Sequence, residues 1–175
     1  MKVISVLIAL GFLNVSHCCD APPPRAINLA RNGFASQSSV YLYQVMGYAR
    51  QAIDGNSDGI YDFGSCSHTS KEKDPWWKVD LHLTYKISTI IIAARQDCCS
   101  ERLIGAEVRV GNSPDVKTNP VCGTITGVVP AVKISVCCNG MEGQYVGVTI
   151  PSREDYLTLC EVEIYGQMSE PHVCW

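Results

Sequence analysis

Trp76-Trp77-Lys78-Val79-Asp80-Leu81 alternates strictly after its first residue: Trp77, Val79 and Leu81 fall on one side, Lys78 and Asp80 on the other. A period of two belongs to an extended chain, so the segment reads as a strand with one face in a core and one toward water. The pattern recurs outward from it. Val108 and Val110 oppose Glu107 and Arg109, Val146, Val148 and Ile150 share a face, and Val162 and Ile164 oppose Glu161 and Glu163. Ile87 to Ala94 is apolar on both faces, as expected of a central strand covered from both sides. Turn-forming clusters separate these runs at Asp54-Gly55-Asn56, Gly111-Asn112-Ser113-Pro114 and Asn139-Gly140. The expectation is an all-β antiparallel sandwich or jelly roll.

With 175 residues, the chain is long enough for one ordinary domain and too short for two full-sized enzyme domains. Charged residues make up 18% against 46% hydrophobic, which argues against a coiled coil or a disordered chain. Ten cysteines are the outlier, and their meaning depends on compartment. Met1 and Lys2 precede the apolar run Val3 to Leu13, too short to cross a bilayer and of the right length for a signal-peptide core. Cleavage after Ser16 or Cys18 is expected, giving a signal peptide at 1–18, a secreted, extracellular protein, and cysteines that form disulfides. A stiff Pro-rich lead-in follows at 19–25. Loss of Lys2 leaves 13 basic against 17 acidic groups, so neither nucleic acid nor membrane insertion is expected.

In a domain of short strands, function sits in the loops. Asp54-Gly55-Asn56-Ser57-Asp58-Gly59 opens like a calcium-binding EF-hand loop, but the twelfth position, where a bidentate Glu is required, is Ser65. An ordinary Asx-rich turn is the competing reading. Arg95-Gln96-Asp97-Cys98-Cys99-Ser100-Glu101-Arg102 follows the central strand and places two planar five-donor guanidinium groups around adjacent cysteines. Bonded to each other, Cys98 and Cys99 would give a tight turn with a sulfur face; alternatively each staples a different strand while the arginines pair with Asp97 and Glu101. His68, in Cys66-Ser67-His68, is a third candidate.

Together these pieces carry a resemblance. His68, 26 residues, Arg95-x-Asp97, four residues and Arg102 resembles the fucose-binding signature of the F-type lectins. Asn28-Leu29-Ala30, Ala35-Ser36-Gln37-Ser38-Ser39, Gln51-Ala52-Ile53-Asp54-Gly55-Asn56, Pro75-Trp76-Trp77-Lys78-Val79-Asp80-Leu81, Gly143-Gln144-Tyr145-Val146 and Leu159-Cys160-Glu161-Val162-Glu163 resemble that family as well. The Pro-Trp-Trp stretch is shared with discoidin-like domains and marks fold alone. The resemblance spans residues 26–166 and leaves 167–175 as a C-terminal tail.

It implies an eight-stranded antiparallel jelly-roll β-barrel or sandwich holding α-L-fucose among the loops at one end. His68, Arg95 and Arg102 would hydrogen-bond the ring oxygen and the 3- and 4-hydroxyls. Asp97 would orient an arginine, a Cys98–Cys99 disulfide would pack on the apolar sugar edge, and Tyr61 would lie near the fucose methyl. A structural Ca2+ is also implied, held by backbone carbonyls of Gln51, Asn56 and Cys160, the side chains of Asp54 and Glu161, and Ser65, an oxygen-only set suited to a hard cation. A Cys66–Cys160 disulfide would brace that site. Cys122 is expected to pair within the late hairpin, where spacing to Gly143-Gln144-Tyr145 favours Cys137 over Cys138. Cys174 would meet Cys18 or Cys19. The implied role is recognition of fucosylated glycans in host defence and agglutination, with weak single sites that call for a homo-oligomer.

Enzyme signatures are missing: there is no Gly-x-Ser-x-Gly, no His-Glu-x-x-His and no suitable carboxylate pair. The rival reading is a discoidin-like adhesion module that binds lipid or protein through apolar loop tips, which would require exposed Trp or Leu there.

Overall fold

A computed structural model of the chain describes residues 22–43, 45–129 and 133–169. The expected signal peptide, Cys18, Cys19 and Cys174 lie outside the described residues. Within them the chain forms β1 (Phe34–Gln37), β2 (Ser67–His68), β3 (Glu72–Lys73), β4 (Trp76–Ala93), β5 (Glu107–Gly111), β6 (Val121–Thr124), β7 (Ile134–Thr149), β8 (Glu154–Asp155), β9 (Thr158–Leu159) and β10 (Glu161–Met168). Short 3-10 turns at Leu29–Asn32, Ala49–Ile53, Tyr61–Phe63, Ser100–Leu103 and Val116–Thr118 connect them.

All pairings are antiparallel. The main sheet runs β1-β4-β7-β5-β6, with β10 on β4 as well. Two strands pair with one side of β4 because β4 is bent: β1 takes 77–80 and β10 takes 85–93. The bend lies where the β4–β7 register shifts between Asp80 and Tyr85, at His82 with φ 66°. β7 turns farther along, at Asn139 (φ 50°) and Gly140 (φ 79°), opposite the second β4–β7 register shift between Ile87 and Thr89. Bulged corners let one strand serve both layers of a sandwich. Counting β4 and β7 as two halves each, the six longer strands make the eight segments of the expected jelly roll.

The alternation read around Trp77 holds: Trp77, Val79 and Leu81 are buried beside Val108, Val110, Val146 and Val148. The second layer contributes Ile87, Ile90, Ile92, Val136, Val162 and Ile164 to the same core. Burying each such side chain contributes about 1.5–3 kcal/mol. Trp77 Nε1 donates to the Ala49 carbonyl at 2.9 Å, so its one polar atom is not stranded. Inward parity changes from Ile87 to Ile90 because Ser88 is an extra, exposed residue between Ile87 and Thr89. The outer side of this segment is less covered than its composition suggests, since Ile91 is only half-buried.

The Cys66–Cys160 and Cys98–Cys99 disulfides form as expected. The third departs from expectation: Cys122 bonds Cys138, not Cys137. Val136 and Cys138 are both buried on the inward face of β7, toward the core that Cys122 packs against. Cys137 lies between them on the opposite face, opposite Thr89, and is itself disulfide-bonded. Strand alternation therefore outranks loop spacing in choosing the partner.

Candidate functional site

Two short ladders build the site. β2 pairs with β9, setting His68 against Thr158, and β3 pairs with β8, setting Glu72 against Asp155. Tyr156 and Leu157 run between these ladders, and Thr69 N–H donates to the Leu157 carbonyl at 3.0 Å. Arg95 arrives two residues beyond β4, and Arg102 sits on the Ser100–Leu103 turn. The loop at Gly47 lies against His68: His68 N–H donates to the Gly47 carbonyl at 2.9 Å, and a Cβ on Gly47 would fall 2.5 Å from that nitrogen. Gln37 Nε2 ties this loop down, sharing its two N–H groups among the carbonyls of Ser39, Gly47 and His68.

His68 is the floor, only 3% exposed. Tyr41 stacks on it at 4.7 Å between ring centroids, while Tyr61 and Tyr156 meet it edge-on at 5.0 and 5.3 Å. The two guanidinium groups repeat one another. Arg95 lies 4.7 Å over the Tyr61 ring, and Arg102 lies 4.7 Å over the Tyr156 ring. Arg95 donates from Nε and Nη2 to the two Asp97 oxygens, each at 2.7 Å. Arg102 Nε is 3.8 Å from Asp155 Oδ1. The Cys98–Cys99 pair lies in the chain between the two arginines, with Cys99 in the left-handed region at φ 64°.

These contacts decide charge states. The fork from Asp97 holds Arg95 above its ordinary value and, in return, holds the Asp97 carboxyl below its own. Burial lowers the His68 pKa and the nearby Arg95 and Arg102 charges lower it further, against the opposing pull of the Thr69 carbonyl. His68 Nδ1 lies 2.7 Å from that carbonyl, so a neutral ring donates there. Nε2 is then an acceptor with no partner among the described residues. Arg95 spends two of its five N–H groups on Asp97 and keeps three. The site therefore offers fixed donors around one fixed acceptor, a set matched to hydroxyl groups on a rigid ring. Tyr61 is 4% exposed and its hydroxyl donates to the Val45 carbonyl, so the ring serves as a shelf for Arg95.

A second polar corner lies beyond the Cys66–Cys160 bridge. Asp54, Asn56 and Asp58 each accept a backbone N–H two residues on, at 2.8, 3.1 and 2.9 Å, so the alternating oxygens form consecutive Asx turns. Ser65 Oγ donates to the Asp58 carbonyl at 2.6 Å. Glu161 reaches this loop from β10: its Oε2 accepts from Gly55 N–H at 3.1 Å, while Oε1 is buried without a partner among the described residues. Burial, aided by the Asp54 charge, pushes the Glu161 pKa up to about 7. No three His, Cys, Asp or Glu side chains converge among the described residues. Asp54 and Glu161 are two carboxylates, and the expected set fills the rest of the shell with carbonyls and Ser65. An orphaned buried carboxylate oxygen facing an oxygen-lined loop fits a hard cation.

Sequence reasoning did not single out Tyr41, Arg153, Asp155 or Tyr156. Asp155 and Tyr156 lie just upstream of Leu159-Cys160-Glu161, but only the ladder pairing with 68–73 delivers them to the pocket.

A family model for the NedA-like, galactose-binding domain matches residues 51–148. Fucolectin-6 of Anguilla japonica is 40% identical over 177 residues, covering 96% of this chain and 94% of that protein. The Pentraxin fusion protein of Xenopus laevis is 39% identical over 147 residues, 83% of this chain and 35% of that protein. Among solved structures, an f-lectin (fucolectin) from striped bass (Morone saxatilis) serum matches with a TM-score of 0.78 at 42% identity, over 84% of this chain and 50% of that one. This chain thus spans about half the length of the striped bass protein. The lectin domain of Lectinolysin complexed with Lewis B antigen matches with a TM-score of 0.70 at 29% identity, over 81% of this chain and 97% of that one. At 40% identity over nearly its whole length, with the same antiparallel fold, the chain belongs to the fucolectin family, a family of lectins and not of enzymes.

Proposed function

We propose that the chain is a secreted lectin whose His68, Arg95 and Arg102 bind terminal α-L-fucose. One observation carries this reading: two guanidinium groups, each resting on a tyrosine ring, flank a neutral His68 whose Nε2 is an acceptor with no partner among the described residues. The arginines donate to the ring oxygen and to hydroxyl lone pairs, while His68 takes a hydroxyl hydrogen. Asp97 holds Arg95 in place without touching the sugar, and the Cys98–Cys99 face packs on its apolar edge. A sugar with a hydroxyl in the wrong orientation leaves these donors unpaired, which is a strong source of discrimination. Similarity to a Streptococcus pneumoniae fucose binding module, at a TM-score of 0.69 and 28% identity, supports the same ligand. The test is retention on immobilised L-fucose and elution by free L-fucose. Arg95→Ala should abolish retention and leave the unfolding temperature unchanged; equal elution by galactose and mannose would overturn the assignment.

The same proposal includes a structural Ca2+ held by the Asp54 and Glu161 side chains with Ser65 and the carbonyls of Gln51, Asn56 and Cys160. The ion would supply positive charge to the orphaned Glu161 oxygen and brace the 54–65 loop. Secretion, assembly into a homo-oligomer for avidity, and recognition of fucosylated glycans in host defence complete the reading.

A second reading draws on the loop tips. Leu42, Tyr43 and Phe63 are 73, 61 and 72% exposed beside the pocket, and exposed apolar tips are what a lipid- or protein-binding module needs. Co-sedimentation with phosphatidylcholine vesicles lacking fucose tests it directly. Loss of that binding in Leu42→Ser/Phe63→Ser would support it, and absence of binding by the unaltered protein would reject it.

A further inference from the structure

Arg102 stands in the same relation to Tyr156 and Asp155 as Arg95 does to Tyr61 and Asp97. Each guanidinium lies 4.7 Å over a tyrosine ring and faces an aspartate. The two halves differ in tightness. Asp97 is bidentate on Arg95 at 2.7 Å, whereas Asp155 is shared: its Oδ1 is 3.8 Å from Arg102 Nε and its Oδ2 is 3.1 Å from Arg153 Nε. Arg153 closes the arrangement by donating from Nη2 to the Arg102 carbonyl and from Nη1 to the Ile104 carbonyl at 3.0 Å. The turn carrying Arg102 and the head group of Arg102 are therefore both held from the 153–156 segment, about fifty residues away in sequence.

We propose that Asp155 and Tyr156 are positioning residues for Arg102, a second clamp matching the one that Asp97 and Tyr61 form on Arg95. The inference rests on the fucose-binding reading and extends it to residues outside the His68–Arg102 spacing. Asp155 supplies the negative charge that keeps the Arg102 guanidinium turned along the pocket wall, and the Tyr156 ring supplies the plane on which it rests. Tyr156 also meets His68 at 5.3 Å and Tyr41 at 5.7 Å, so one side chain spaces the acceptor from the second donor group. A long side chain held this way loses less freedom on meeting a sugar, and the gain registers as affinity.

A double-mutant cycle on L-fucose affinity, measured by calorimetric titration, tests this, with the unfolding temperature followed in parallel. Asp155→Asn is expected to weaken binding about five- to twentyfold. Asp155→Glu should recover most of that loss, and Tyr156→Leu should reproduce it. In an Arg102→Ala background, Asp155→Asn should change affinity less than twofold, because the group it positions is gone. A merely structural role would weaken binding equally in both backgrounds and track the unfolding temperature, and that result overturns the clamp. If Arg102→Ala weakens binding while Asp155→Asn and Tyr156→Leu do not, the clamp alone fails. If the unaltered protein does not bind L-fucose, or Arg102→Ala binds as it does, the fucose reading fails and takes the clamp with it.

Discussion

The arginine pocket and the Glu161 corner share a wall, the small cluster of Tyr61, Cys66, Ala93 and Cys160, yet they treat charge in opposite ways. In the pocket each guanidinium faces a carboxylate, Asp97 for Arg95 and a shared Asp155 for Arg102 and Arg153, and His68 is held neutral. At the corner, a buried carboxylate oxygen has no partner among the described residues and a second acid, Asp54, makes matters worse. A site whose charges are already engaged before its ligand arrives is suited to a neutral ligand. A site deficient in positive charge needs a cation or a proton simply to fold without penalty.

The largest effect should come from cutting the wall itself. Cys66→Ala/Cys160→Ala removes a bridge closing 94 residues of sequence and is expected to cost about 2–5 kcal/mol in denaturant unfolding, weakening both regions together. If fucose binding survives that change intact, the two regions are independent. Next in size is cation removal. A chelator should lower the unfolding temperature, by an amount corresponding to about 2.7 kcal/mol if calcium stands at a hundred times its dissociation constant. Glu161→Gln should abolish the chelator's effect. An unaltered protein that ignores the chelator would show that the corner meets its deficit with a proton, or with Arg31, whose Nη1 reaches the Ile53 carbonyl at 3.4 Å.

Arg95→Ala should sharpen the contrast from the other side. It is expected to weaken L-fucose binding by roughly tenfold to a hundredfold, the size of hydrogen bonds to a charged group, while chelator sensitivity stays unchanged. The smallest effect is on pH. The folded His68 has a pKa below 6.5, so below pH 6.5 the unfolded chain takes up more protons than the folded one. Stability from this group is full above pH 6.5 and falls as pH drops toward the lowered folded value. Sugar binding should fall over the same acid range as Nε2 loses its lone pair to a proton. Titrating affinity from pH 7.5 to 5 checks it, and a loss centred above 6.5 would contradict the burial of His68.

Much of this was legible from local pattern. The Trp77, Val79 and Leu81 face depends on residues within a few positions of one another, whereas the Arg95-x-Asp97 fork and the bonded Cys98–Cys99 pair follow from the family resemblance, the loop by itself leaving both pairings open. Loop spacing points Cys122 to Cys137, not to its actual partner Cys138, because spacing carries no information about which face of β7 a residue occupies. The bulge at Ser88 was equally invisible, since one extra residue in an apolar run leaves no mark until its neighbours pair. Tyr41, Asp155 and Tyr156 escaped because each is an ordinary loop residue until the β2–β9 and β3–β8 ladders fold it against His68 and Arg102.

What the amino-acid sequence determined alone was strand periodicity, the composition of each loop and the chemistry those loops carry, because these rest on interactions between chain neighbours. What only the tertiary structure decided was which cysteine Cys122 meets, which carboxylate reaches Arg102, and that Glu161 is buried beside Asp54 with one oxygen unmatched. Those outcomes depend on segments from 16 to more than 100 residues apart. Their contact follows from how two bent strands divide one core between two layers, a property of the packed chain that no local stretch of it contains.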